Sequence, residues 1–517
     1  MRMTIRAAVA VAFAMVASAA GARDLMIGSK LDPSSLDPHY FNSADTVHPQ
    51  THVFERLIDL DREGALTPAL ALSWTALDPL TWEFKLRPGV TFHNGAPFTA
   101  HDVAFTFARI PSVKSPGPFT GYTKQVTGLE IVDDLTLRMK TAQPHPFLPI
   151  DLSVVFIVSR TTSMEATTAD YNSGKAAIGT GPYRLVQFAP GDRAVFEAVP
   201  NHWAGRQPWD RVVFRTIKND AARVAALLSG DVELIDLLPL NSLSTLKRDA
   251  RIALFQRPAA RVMYVQMDSD RDVSPHAAGP DGRNPLKDRR VRKALSLAID
   301  RNVIVTNVLE GAGAPASQMA SPGTPGFSAK LQPDRFDVAQ ARRLLAEAGY
   351  PNGFKLTIHG TSDRYPNGDK VAQALAQFYA RLGIETQVQL VPNAVFFPQA
   401  SRLEYSFFLA GYGSVDPSVY LRTVLHSFDQ AKALGSSNRG RYANPRVDAL
   451  VQQALVTLDD ARRNALMAEA FELAEGEDQA VISVYWPTYD FAGLAGRVVF
   501  TPDANGTMSA LWAKPAP

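Results

Sequence analysis

The chain has 517 residues, 46% hydrophobic and 20% charged, a globular composition that excludes a disordered or largely membrane-embedded protein. At roughly 150 residues per domain, this length implies about three structural units. Lysine plus arginine (53) nearly balance aspartate plus glutamate (51), and there is no cysteine, which excludes disulfides, thiolate metal sites, cysteine nucleophiles and a lipidated cysteine.

The N-terminus reads as an export signal. "MRMTIR" is basic, "AAVAVAFAMVAS" is apolar but short for a bilayer span, and Ala20-Gly21-Ala22 fits a cleavage site. The expectation is cleavage near Ala22 and an unlipidated, soluble periplasmic protein. Residues 1–22 carry Arg2, Arg6 and no acid, so cleavage leaves 53 less two, that is 51, basic residues against 51 acidic ones. A mature formal charge of zero argues against nucleic acid or an anionic membrane surface as partner. No later apolar stretch approaches 18 residues.

"HPQTH" sets His48 and His52 four apart, with His39 upstream. Two imidazoles one helical turn apart suit a metal. Pro49 suits the first helical position, which puts His48 at the cap, and no nearby carboxylate completes a ligand set. No metal or other cofactor is expected.

Trp82, Phe84 and Leu86 alternate with charged residues as a half-buried strand, and Pro88-Gly89 and Asn94-Gly95 are turns. Thr99 with Asp102 predicts a capped helix burying Val103 and Phe107, so His93 and His101 read as scaffold surface. "GTGPYR" at Gly179–Arg184 reads as a tight entry to a strand. "DSDRD" spaces Asp268, Asp270 and Asp272 like a calcium loop, but Val273 and Gly279 stand where Gly and Glu are needed.

From Asp288 onward, helix and strand patterns alternate, the mark of an α/β sheet lobe. Asp288, Asp300, Asp337 and Asp459 cap predicted helices, and a further helix starts at Pro445. "FKLTIH", "IETQVQLV", "YSFFLA" (405–410) and "AVISVYW" read as strands. The segment "AGYGSVDPSVYLR" follows the end of a strand, where open α/β sheets place ligands. Its glycines, Gly413 among them, permit close approach; Tyr412 offers an aromatic wall, and Ser414 and Asp416 offer polar groups. "SSNRGRYANP" brings Arg439 and Arg441, and a guanidinium binds carboxylate bidentately. Arg441 is the candidate clamp for an acidic group of a ligand. There is no Gly-x-Ser-x-Gly, His-Glu-x-x-His or phosphate-loop motif, so an enzyme is not expected.

"WEFKLRPGVTFHNGAPFTAHDVAFTFAR" resembles the signature of the bacterial extracellular solute-binding proteins of family 5, the peptide- and nickel-type receptors of ABC importers. "GTGPYRLVQF", "DRRVRKALSLAIDR" and "ARRLLAEAGYPNGFKLTI" follow in the same order. The resemblance implies an α/β, two-lobed periplasmic-binding-protein fold of type II with an extra inserted subdomain and a hinge between lobes. It implies lobe I from 23–58, 178–262 and 484–517, the inserted subdomain at 59–177, and lobe II at 263–483. It implies a monomer that captures a small-molecule solute and delivers it to an inner-membrane ABC permease, with a peptide chaperone or ligand sensor as the alternative and a hydrolase third. It also adds Phe41, Asn42, Tyr264 and Trp486 as cleft walls and sets the Arg439–Arg441 strip beside the cleft. Peptide-binding relatives carry an aspartate four residues before the loop proline; Gly413 stands there, which points away from an ordinary peptide.

Overall fold

The computed structural model describes residues 23–33, 35–40, 44–114 and 119–517, the side chains of 44–46 and 394 excepted. The signal sequence, Phe41 and Asn42 lie outside the described residues.

One strand organises the architecture. Val481–Leu494 is 14 residues long. Its first half pairs antiparallel with Arg261–Met267 and Gly313–Pro315. Its second half pairs with Ile252–Pro258 and Leu234–Ile235. The chain therefore crosses twice between two halves of one sheet, at 258–261 and at 487–488. Prolines stand at both crossings, Pro258 and Pro487. A proline has no N–H to give a ladder, yet both are kept in register, Pro258 opposite Thr488 and Pro487 opposite Gly313. Ala259 N donates to Pro487 O at 2.8 Å, tying the two crossings together.

In the first half, Asp24–Ser29 runs parallel to Arg211–Thr216, and Arg193–Ala198 and Tyr183–Ala189 extend the sheet antiparallel. In the second half, Phe407–Gly413 pairs antiparallel with Arg261–Met267 and lies beside Lys355–Thr361, which is parallel to Glu385–Val391. Side chains alternate across this sheet. Met263, Val265 and Met267 meet the helices Arg289–Leu297, Val338–Glu347 and Gly368–Ala380 on one face. Val262 and Tyr264 meet Asn393–Ser401, Pro445–Ala454 and Asp460–Phe471 on the other. A third unit, the four strands of Ala71–Asp78, Thr81–Leu86, Val126–Asp133 and Thr136–Thr141 with helix Ala100–Arg109, has its own core around Phe84, Val103 and Leu137. The fold is α/β with two lobes, a hinge and an inserted unit.

The expected caps form: Asp288, Asp337 and Asp459 accept from Arg290, Gln340 and Arg462 amides. Asp102 accepts from the Thr99 amide at 2.9 Å, and His93 Nε2 bonds Gly181 O at 2.9 Å. Burial pushes the His93 imidazole down to about 4, so it is a neutral tie between the inserted unit and "GTGPYR". The glycines there are required by close approach. A Cβ on Gly179 would lie 1.8 Å from Val53 O, and one on Gly181 2.5 Å from His52 O.

Two expectations are corrected. The first helix is Ala44–Val53, so Pro49 lies inside it and not at its start. The strand read as ending at Ala410 runs on to Gly413, because Gly411, Tyr412 and Gly413 pair with Met263, Val262 and Arg261. A Cβ on Gly411 would lie 2.6 Å from Met263 Sδ and 2.8 Å from the Tyr365 ring. Gly411 is small for sheet packing, not for ligand approach.

Candidate functional site

Beyond Gly413 the chain leaves the sheet in a locally closed turn. Ser414 N donates to Ala260 O (2.8 Å) and to Tyr420 Oη (2.9 Å), which fastens the loop to a hinge crossing. Tyr420 Oη donates back to Ser414 O at 3.0 Å. Asp416 accepts from the Ser418 amide (2.9 Å) and hydroxyl (2.7 Å). Burial pushes the Asp416 carboxyl up, with those hydrogen bonds and Arg422 opposing. Its acceptors are committed within its own loop. Tyr412 stands edge-on to Tyr420 at 5.5 Å and accepts from Thr423 Oγ1 at 3.3 Å.

Two cavities open between the units. The first, about 750 Å³, is walled by the 47–69 segment, 202–207 and 503–512; the second lobe reaches it with Gly413 and Val415. The second, about 770 Å³, lies between Trp74 and Phe147 of the inserted unit and Phe327, Asp416 and Arg463 of the second lobe. Ile150 and Val415 border both. The backbone at Gly64 approaches Val415 there, with 4.0 Å between a Cβ built on it and Val415 Cγ1. The cavities are two chambers of one cleft with a waist at Val415. Each falls in the range of small-molecule sites, about 300–1,000 Å³.

Arg463 crosses the second chamber. Its guanidinium stacks 5.5 Å over Phe147, while Thr457 O and Leu458 O accept from it and Asp460 pairs with it. In the first chamber Arg56 pairs with Asp59 at 3.0 Å and lies 4.1 Å over Phe156. Asp503 accepts from the Thr507 amide; burial pushes its carboxyl up, and the Asp59 charge adds to that.

The sequence-predicted residues separate into three groups. Gly413 and Asp416 line the first and second chambers respectively, and Ser414 and Tyr412 brace the loop that carries them. Tyr264 is 1% exposed and belongs to the core, so it is no cleft wall. Trp486 is also buried, 6.4 Å from Phe327, and backs a wall of the second chamber without lining it. Arg439 and Arg441 follow the far end of the sheet: Gly440 O accepts from Ser269 N, beyond Met267. Six residues of strand separate that end from Arg261 at the hinge, roughly 20 Å at about 3.3 Å per residue. Arg439 bonds Ser401, and Arg441 stacks 4.0 Å over Phe428 and donates to Asn438 O. Neither lines a chamber, and the Arg441 clamp is withdrawn.

Sequence reasoning missed Asp59, Asp503, Trp203, Phe147, Val415 and Arg463. None carries a motif in its own segment, and the chambers form from segments as far apart as Val47 and Trp512. His39 and His52 are structural. His39 bonds Phe156 O and accepts from Arg109, and His52 bonds His48 O and accepts from Ala510 N. Burial holds His39 and His52 near 4. Asp268 and Asp272 pair with Arg271 and Lys287. Among the described residues, no three His, Cys, Asp or Glu side chains are grouped to hold a metal, and no helix is long and apolar enough to cross a membrane.

The model for bacterial extracellular solute-binding proteins, family 5 (middle), matches residues 65–432. The chain belongs to this family. The glutathione-binding protein GsiB of Pectobacterium atrosepticum is 28% identical over 90% of this chain and 89% of its own. Heme-binding protein A of Haemophilus influenzae is 27% identical over 88% and 84%. The structure of HbpA2 from Haemophilus parasuis superposes with a TM-score of 0.82 at 22% identity, covering 96% of this chain and all of that one. The protein is a substrate-binding component of an ABC transporter of the family 5 type.

Proposed function

We propose that the protein works in the periplasm after cleavage near Ala22, as a monomer. It closes its lobes on one small polar solute and releases it, chemically unchanged, to an inner-membrane ABC permease. The observation that carries this reading is the shared strand Val481–Leu494, with its paired crossing at 258–261, beside a cleft of two connected chambers. Two adjacent crossings form a hinge, and a solute touching both sides stabilises the closed form by its differential affinity.

The proposed division is 23–58, 178–262 and 484–517 for lobe I, 59–177 for the inserted subdomain and 263–483 for lobe II, with the strand pairing moving the two lobe crossings a few residues, to 258–261 and 487–488. The Ser414–Ala260 bond gives closure a route to the chambers, because the loop bearing Gly413, Val415 and Asp416 moves with the hinge. The relatives named above bind solutes as different as glutathione and heme, so the cleft, not the family, selects the solute. Deleting the gene tests the transport role: uptake of the solute that co-purifies with the protein is lost if the reading holds and intact if it fails. Mass spectrometry before and after incubation tests for turnover.

A further inference from the structure

We propose that the first chamber, walled mainly by lobe I, seats a protonated amine or guanidinium of the solute between Asp503 and Asp59, with an acceptor atom of the same solute on His202. This rests on the reading of the protein as a solute receptor and specifies what it selects.

Charge balance is the first observation. The described residues lining this chamber include Glu55, Asp59, Asp61 and Asp503, against Arg56 and no lysine. Arg56 is already engaged by Asp59 and by Phe156. Glu55 accepts from the Trp203 indole at 3.0 Å, and Asp61 accepts from the Ala65 amide. Asp503 differs from these. It is 8% exposed, accepts from Thr507, and forms no ion pair among the described residues. The Arg257 charge acts on Asp503 from outside ion-pair distance, and a buried carboxylate with no ion pair is held at a cost that a bound cation removes. Asp59, already paired with Arg56, lines the same chamber and its charge reaches Asp503, so a cation seated between them supplies Asp503 with its ion pair and shares Asp59.

The second observation is independent. His202 is 9% exposed and lines the same chamber. Its Nδ1 accepts from the Ala204 amide at 3.3 Å, which leaves the proton on Nε2. Nε2 makes no hydrogen bond; Glu55 Oε1 lies 3.4 Å away without the geometry for one. A buried N–H of this kind calls for an acceptor, and the chamber beside it is where a ligand carbonyl or hydroxyl arrives. Trp203 and Trp512 supply apolar wall for the carbon stem. The chemistry recognised is a small organic cation with a nearby carbonyl or hydroxyl, and not an anion.

The test uses the full mature chain. Melting shifts and calorimetry are measured with L-argininamide and agmatine, with succinate as the anionic probe and glycerol as the neutral one. Expected results are stabilisation by the cations and none by succinate. Asp503→Asn, which keeps an acceptor for Thr507, and the half-exposed Asp59→Asn should each weaken L-argininamide binding about tenfold or more, the scale of a charge-assisted contact. Asp134→Asn, on the surface of the inserted unit, should leave it unchanged. No response to either cation, preference for succinate, or unchanged affinity in both chamber variants overturns the proposal. Binding of succinate or glycerol with compaction of the protein overturns it while leaving the receptor reading intact. Failure of every probe, together with no compaction by the co-purified solute, counts against both.

Discussion

Glu475 is a buried carboxyl whose titration burial shifts strongly. It is 4% exposed, accepts from the Met319 amide and Ser483 Oγ at 2.8 Å each, and burial pushes it up to about 8. Its folded value lies above its unfolded one, so its contribution is full below about 4.5 and is lost as pH rises through 8. Glu475→Gln should therefore flatten the pH profile of stability and leave the variant more stable than the wild type above pH 7, by an amount on the order of a few kcal/mol. Urea melts at pH 5, 7 and 9 check this; parallel profiles would contradict it. At this scale the sequence was legible where the chemistry is local. Asp288, Asp337 and Asp459 cap because a short acid meets amides two or three residues on. Arg441, Tyr264 and Trp486 were not legible, because which end of a strand or which face of a sheet a side chain occupies depends on distant packing.

Among the elements, the strands after residue 261 and the helices between them follow the predicted alternation. The extension of Phe407–Gly413 escaped prediction because two glycines read as a loop, whereas the space opposite Gly411 is filled by Met263 and Tyr365. A comparable constraint acts at Gly179, where the neighbour is backbone and cannot swing aside. Gly179→Ala should cost about 3 kcal/mol or more, or prevent folding, whereas Gly496→Ala, with nothing within 4 Å, should stay within about 0.5 kcal/mol. Expression and thermal melts of the pair decide it. The loop at 413–418 is fastened at its start, where Ser414 N donates to both Ala260 O and Tyr420 Oη. Tyr420→Phe removes the hydroxyl that bonds Ser414 N and O, and should destabilise by about 1–2 kcal/mol. Weaker solute binding should accompany the loss of stability. A loss of stability with unchanged affinity would show that the turn does not shape the chambers.

For the whole molecule, the two-lobed plan and the family were readable from ordered phrases spread over the chain, and the cleft's walls were not. Its chambers assemble from 47–74, 146–154, Pro182, 202–207, 323–327, 413–416, 460–467 and 503–512. No local pattern reports such a meeting. Arg463 on Phe147 is a contact between lobe II and the inserted unit, so Phe147→Ala should shift the protein toward more open forms in scattering, with little effect on either lobe's stability. The central claim, closure of two lobes on a solute, is tested most directly by a distance. The chain has no cysteine, so Leu77→Cys on the inserted unit and Val395→Cys on lobe II, both exposed, give a clean spin-labelled pair. Adding the solute recovered from the purified protein should shorten and narrow the measured electron–electron distance distribution. An unchanged distribution with the solute demonstrably bound would contradict the account.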